Sequence, residues 1–190
     1  MNINKYPEIQ PKQKIIKKIY IFIMLFIVGR AIEAAAKVDK TVKDIFNGLP
    51  DDFIFYLGVN PGGPYMVVGK EKDGTVRYLG WKLYGKKISL AMRIKNVESA
   101  IKVFTFQEST ALAYNYDRFI VEGDLPRALA IVRVLDIVEV YLLPKIIARL
   151  AVKRYPHWSE MSPVIKYTGR IRIYVKSFTT GLVRVILQNL

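Results

Sequence analysis

The strongest constraint on this chain is a change of period at one Gly-Asp pair. Arg118-Phe119-Ile120-Val121-Glu122 reads as a short strand, Gly123-Asp124 ends it, and a helix follows to about Leu143. Asp124 suits the helix entry. A carboxylate there can accept from free backbone N–H groups, and its charge complements the positive end of the helix dipole. Leu125 and Pro126 fill the first turn, where proline forfeits no hydrogen bond. Ala128, Ile131, Val134, Leu135, Val138 and Leu142 recur at helical spacing, with Arg133, Asp136 and Glu139 opposite. Ordinary core packing would account for this stretch by itself.

The residues upstream supply a sheet. Residues 52–95 read as an antiparallel meander of four strands: Asp52 to Val59, Tyr65 to Lys70, Thr75 to Trp81 and Lys86 to Lys95. Asn60-Pro61-Gly62-Gly63-Pro64 and Lys72-Asp73-Gly74 are turns, and Gly80 and Gly85 bracket a bend. The first of these turns lacks the Lys-Ser/Thr of a phosphate-binding loop, and no helix follows it. Asn96 caps a short helix, a second begins near Thr110, and Asp117-Arg118 leads into the fifth strand. Ahead of the sheet, Lys37 to Gly48 reads as a helix capped by Asp39, with Val42, Ile45 and Phe46 on its apolar side. Ala111 and Ala113 beside Phe104, Phe106 and Phe119 fit a cavity wall, and they equally fit tight helix-on-sheet packing.

The order strand, two short helices, strand ending in Gly-Asp, amphipathic helix resembles the sterol-carrier-protein lipid-transfer family. The likeness rests on Met92-Arg93-Ile94, Ala111 to Ala113, Phe119-Ile120-Val121-Glu122-Gly123-Asp124 and Ala128-Leu129-Ala130, and covers roughly residues 37 to 145. It implies lipid held between the helices and the sheet. The lining it implies is Met92, Ile94, Ile101, Phe104, Leu112, Tyr116, Phe119, Leu129, Val132 and Leu135, with Arg93 or Arg118 near an anionic headgroup at the mouth.

Both ends of the chain lie outside that likeness. Residues 1–13 read as a loose arm. A helix from about Lys14 to Lys37 contains ten consecutive apolar residues, Ile19 to Val28, before Gly29, Arg30 and Glu33. A span needs about twenty apolar residues. Three readings stay open: a buried or interfacial helix, an anchor with snorkelling lysines, and a cleaved signal. Beyond Pro144, Lys145 to Arg154 reads as a basic amphipathic helix, fit for a membrane surface or for a solvated face over core. Val164 to Phe178 alternates apolar and basic residues and reads as a basic-faced strand added to the sheet edge. Thr179 to Leu190 is too apolar to be left in water.

Thirty Lys and Arg against 16 Asp and Glu give a net charge of +14, which calls for an acidic partner. Anionic lipid fits best. Nucleic acid is disfavoured because the basic residues are spread over several elements and no recognised motif is present. There is no cysteine and a single histidine, His157, so neither thiol chemistry, a usual zinc site nor a Ser-His-Asp set is expected. Glu98, Glu108, Glu122 and Asp124 suit caps and ion pairs better than acid–base work.

The expectation is therefore an α+β fold: a five-stranded, mainly antiparallel sheet with helices on one face and a hydrophobic cavity between the layers. An N-terminal arm and apolar helix (1–36) precede the lipid-binding domain (37–155), and an extension (156–190) packs on it. The expected function is non-catalytic binding or transfer of a fatty acid, phospholipid, sterol or isoprenoid, without cofactor or metal. The protein would be cytoplasmic and would dock to membranes through basic surfaces. A homodimer through the tail or the first helix, or a peripheral membrane role without transfer, would also fit.

Overall fold

A computed structural model describes residues 14–83, 85–143, 148, 152 and 167–175. The elements are α1 (Ile15–Val38), α2 (Lys40–Asn47), β1 (Ile54–Val59), β2 (Tyr65–Lys70), β3 (Val76–Gly80), β4 (Leu90–Ile94), α3 (Val97–Phe104), α4 (Thr110–Asn115), β5 (Phe119–Gly123) and α5 (Leu125–Leu142), followed by a helix α6 over 167–175. Short polar side chains start three of the helices. Asp39, Asn96 and Ser109 accept from the backbone N–H of Val42 (3.0 Å), Ser99 (2.8 Å) and Leu112 (3.2 Å). Asp124 stands at the entry of α5 but makes no capping bond, and its carboxylate faces Arg127 Nε at 3.3 Å instead. Before it, Gly123 has φ +130, and a Cβ there would lie 2.8 Å from the Ser89 carbonyl oxygen, so the strand-to-helix corner requires glycine.

The five strands form one sheet in the order β3-β2-β1-β4-β5. Three pairings are antiparallel, while β1 and β4 run parallel from Phe55↔Leu90 to Val59↔Ile94. The meander expected over residues 52–95 is thus corrected. After β3 the chain crosses to the far side of β1, and residues 86–89, read as the start of a strand, belong to that crossover. Leu83 and Ile88 pack there on Ile54, Tyr56, Val67 and Ala91, an apolar patch on the sheet face away from the helices. Parallel neighbours need such a crossover where antiparallel ones need only a turn.

The main core lies on the other face. Phe55, Leu57, Met66, Val68, Leu90 and Ile94 of the sheet meet Ile21, Leu25 and Ile32 of α1, Phe46 of α2, Val103 and Phe104 of α3, and Ile131, Val134 and Val138 of α5. Helix α1 settles over β2 and β3, and α5 leans on β5. Gly29 permits the close approach of α1: a Cβ there would sit 2.5 Å from the Tyr78 ring. One turn on, Glu33 is 3% exposed and Arg30 4%. Glu33 accepts from Arg30 Nη1 (3.1 Å), Lys37 Nζ (3.2 Å) and the backbone N–H of Tyr78 on β3 (3.1 Å). The residues that seemed to interrupt an apolar segment are the ones that fasten it.

The tail also differs from expectation. Residues 167–175 form a helix, not an edge strand. Its buried positions are Gly169 and Ile173, four apart, while Tyr167, Ile171 and Val175 of the alternating pattern are exposed. Arg170 Nε donates to the Tyr141 carbonyl at 2.7 Å, and the Tyr174 hydroxyl donates to the Leu142 carbonyl at 2.9 Å. The arm at 1–13, the rest of the basic helix apart from buried Ala148 and Val152, His157 and residues 179–190 lie outside the described residues.

Removing one partner of a buried ion pair leaves the other charge unmatched. Glu33→Ala is expected to lower the unfolding free energy in urea by about 3–5 kcal/mol. A loss of less than about 1 kcal/mol, the scale of an exposed pair, would contradict the fastening role.

Candidate functional site

With α1 over β2 and β3 and α5 over β5, the two helices meet above the inner strands β1 and β4. A cavity of about 250 Å³ lies there. Its floor is Leu57 of β1, Ile94 of β4 and Phe119 of β5. Met24, Ile27 and Val28 of α1 form one wall, and Leu135, Glu139 and Leu142 of α5 form the other. Val103, Phe104 and Phe106 close one side, and Thr110, Leu143 and Tyr174 complete the lining. An apolar cavity of about 150 Å³ stays dry and accepts a benzene-sized guest, and drug-sized sites run from about 300 Å³. This space therefore has the size to take a small apolar guest.

Of the residues expected from the sequence, Ile94, Phe104, Phe119 and Leu135 come together in this lining. Met92 lies in the core, and Ile101 and Val132 pack against it. Leu112, Tyr116 and Leu129 lie on the surface, 39%, 58% and 63% exposed. The α1 wall and Tyr174 were not foreseen, since both stand outside the stretch that carries the family likeness. Glu139 had been placed on the polar side of α5. Its spacing from Leu135 and Leu142 puts it on their stripe, and that spacing was visible in the sequence.

Glu139 is the acidic group of the lining. The residue keeps some accessible surface because it borders the cavity, but its Oε2 is sealed from solvent. Among the described residues, nothing hydrogen-bonds to that oxygen. Burial, then repulsion from Asp136, pushes the Glu139 carboxyl up to about 8. The acids singled out in the sequence are all paired. Glu98 binds Lys17 (2.6 Å) and Lys14 (2.6 Å), which hold its carboxyl down at about 2. Glu108 takes Arg118 Nη2 at 2.8 Å, and Glu122 takes Arg93 Nε at 3.1 Å. Arg93 also stacks over the Tyr56 ring at 4.8 Å. Both arginines considered for a headgroup are thus engaged within the protein. A second, open depression is lined by Asp52, Lys86, Lys87, Ile88, Ser89 and Arg127, where Glu71 holds Lys86 at 3.0 Å. Among the described residues no cluster of His, Cys, Asp and Glu could hold a metal ion.

No family profile and no curated protein matches the sequence. Solved structures do match. The chain is similar to sterol-carrier domains. A protein described as a UbiJ-SCP2 ubiquinone synthesis protein aligns at TM-score 0.39 and 10% identity, over 67% of this chain and 99% of that one. The sterol carrier protein domain 2 of Helicoverpa armigera aligns at TM-score 0.38 and 16% identity, over 58% and 84%. Sterol carrier protein 2 like 2 of Aedes aegypti aligns at TM-score 0.30 and 13% identity, over 50% and 94%. These are the proteins whose family the sequence resembles, and the functional reading rests on the cavity itself.

Glu139 makes stability depend on pH. Its folded value of about 8 lies above the ordinary 4.5, so between those limits the folded chain keeps a proton that the unfolded chain releases. This contribution is largest at low pH and declines as pH rises through that window, by at most about 1.4 kcal/mol per pH unit. Urea unfolding across the window is expected to show a shallower decline in Glu139→Leu than in the wild type. Identical slopes would contradict the burial of this carboxyl.

Proposed function

We propose that the protein binds a slender apolar molecule non-covalently between its helices and its sheet and carries it to or from membranes, without catalysis. The observation that carries this reading is the apolar cavity over β1 and β4. A guest that hides a few hundred Å² of apolar surface gains on the order of 5–10 kcal/mol gross at about 25 cal/mol per Å². Ordering the guest takes back part of that gain.

The docking surface belongs to the same proposal. The N-terminal half of α1 leaves Ile16, Ile19, Ile23 and Phe26 exposed by 84%, 55%, 49% and 43%. They recur at helical spacing along one side, with Lys18 beside them, while Lys14 and Lys17 are paired with Glu98. The helix is long and apolar enough to cross a membrane, yet 61% of its most apolar window is buried inside the protein. An apolar stripe with a net charge of +14 behind it fits an anionic bilayer surface, with α1 lying in the interface. Its exposed side adjoins Ile27 and Met24 of the cavity wall, so docking would bring the bilayer beside the cavity.

Extraction of the purified full chain is expected to release a bound lipid identifiable by mass spectrometry. Leu135→Phe, which fills part of the void, is expected to lose that lipid while staying folded. Protein that carries no lipid and gives no signal with the neutral probe N-phenylnaphthylamine would refute the carrier reading. The double variant Ile16→Glu, Ile23→Glu is expected to lose flotation with phosphatidylglycerol-containing vesicles and to keep its ligand. Unchanged flotation would remove α1 as the docking surface. Flotation by a wild type that binds no ligand would favour a peripheral membrane role instead.

A further inference from the structure

One lining group does not fit a cavity built only to exclude water. A buried carboxyl with an unpartnered oxygen costs free energy, and a leucine in its place would have completed the wall. Glu139 stands in the α5 wall, four residues after Leu135 and three before Leu142, with Leu57 and Ile94 on the floor below. Among the described residues, nothing hydrogen-bonds to its Oε2, and several polar groups nearby are engaged elsewhere. The Tyr174 hydroxyl donates to the Leu142 carbonyl, the Tyr20 hydroxyl of α1 donates to the Phe104 carbonyl, and Arg170 of α6 is bound to the Tyr141 and Leu143 carbonyls. Glu108 and Arg118, beside α4, hold each other. Asp136, one turn back on α5, only repels it.

We infer that Glu139 is the polar anchor of the cavity, and that the guest is an apolar chain bearing an uncharged oxygen, such as an alcohol, an ester or a ketone. This rests on the carrier reading and narrows it. A protonated carboxyl offers one O–H donor and a carbonyl acceptor, and a neutral oxygen can meet the donor without bringing a charge into the void. Burial keeps Glu139 in that protonated form at neutral pH. A carboxylate guest would place a second acid against it. A cationic guest could pair with the ionised form, but the protein's +14 charge opposes its approach.

The test is displacement of N-phenylnaphthylamine from the full chain by dodecane, lauryl alcohol, methyl laurate, laurate and laurylamine. It compares wild type, Glu139→Leu and Glu139→Gln. Glu139→Leu is expected to bind the alcohol and the ester about tenfold more weakly than wild type, the scale of one buried hydrogen bond, and to bind dodecane as well or better. Glu139→Gln, which keeps a donor, is expected to hold most of the ester affinity. Wild type is expected to lose ester affinity when the pH passes from below to above about 8, where its donor is gone, and Glu139→Gln to show no such loss. An equal change for dodecane, alcohol and ester in the leucine variant overturns the anchor and leaves the carrier intact. So does tightest wild-type binding of laurate or laurylamine. Failure of every probe to displace the dye, or of the dye to bind, refutes the carrier reading and the anchor with it.

Discussion

A buried carboxylate fastens the first helix to the sheet, and the remaining architecture follows from where that contact falls. Glu33 gathers Arg30, Lys37 and the Tyr78 backbone N–H into one cluster at the β3 edge. Charges so enclosed are tolerated only with full hydrogen bonding. The contact holds α1 over β2 and β3, and Gly29 lets it sit close. Because α5 is committed by the Gly123-Asp124 corner to the β5 side, the helices straddle the inner strands. The void over Leu57 and Ile94 is a consequence of that straddling.

The ionisable groups divide into two kinds. Glu108 is largely buried and held by Arg118, and at the surface Glu98, Glu122 and Asp124 each face a basic side chain across two elements or one turn. Exposed pairs of this sort contribute little each, about 0–1 kcal/mol. Glu139 has no such partner among the described residues and lies where the chain is otherwise apolar. Among the described residues it is the acid of the cavity wall, and the proposed guest would meet it there.

Local chemistry was legible in the sequence, and long-range placement was not. The caps at Asp39 and Asn96 and the strand-to-helix corner at Gly123-Asp124 depend on a few adjacent residues, and they stand where the pattern put them. The parallel pairing of β1 with β4 involves residues some 35 apart, and no local signal separates a fourth meander strand from a crossover that ends in one. In the tail, a period of two suggested a strand. The residues that decide the matter are Gly169 and Ile173, whose four-residue spacing was masked by apolar neighbours that remain exposed. Ile94, Phe104, Phe119 and Leu135 were reachable from the family likeness. Met24, Ile27 and Val28 were not, because the likeness begins after α1.

The proposed function requires that the space between α1, α5 and the inner strands receive a guest. A crystal structure of the full chain soaked with a bromine-tipped alkyl alcohol would test it most directly, through the anomalous signal of the bromine. A bromine peak is expected inside the cavity, between Phe104 and Leu135, with the hydroxyl density reaching Glu139. Side chains closing the void, or bromine found only along the exposed side of α1, would contradict it.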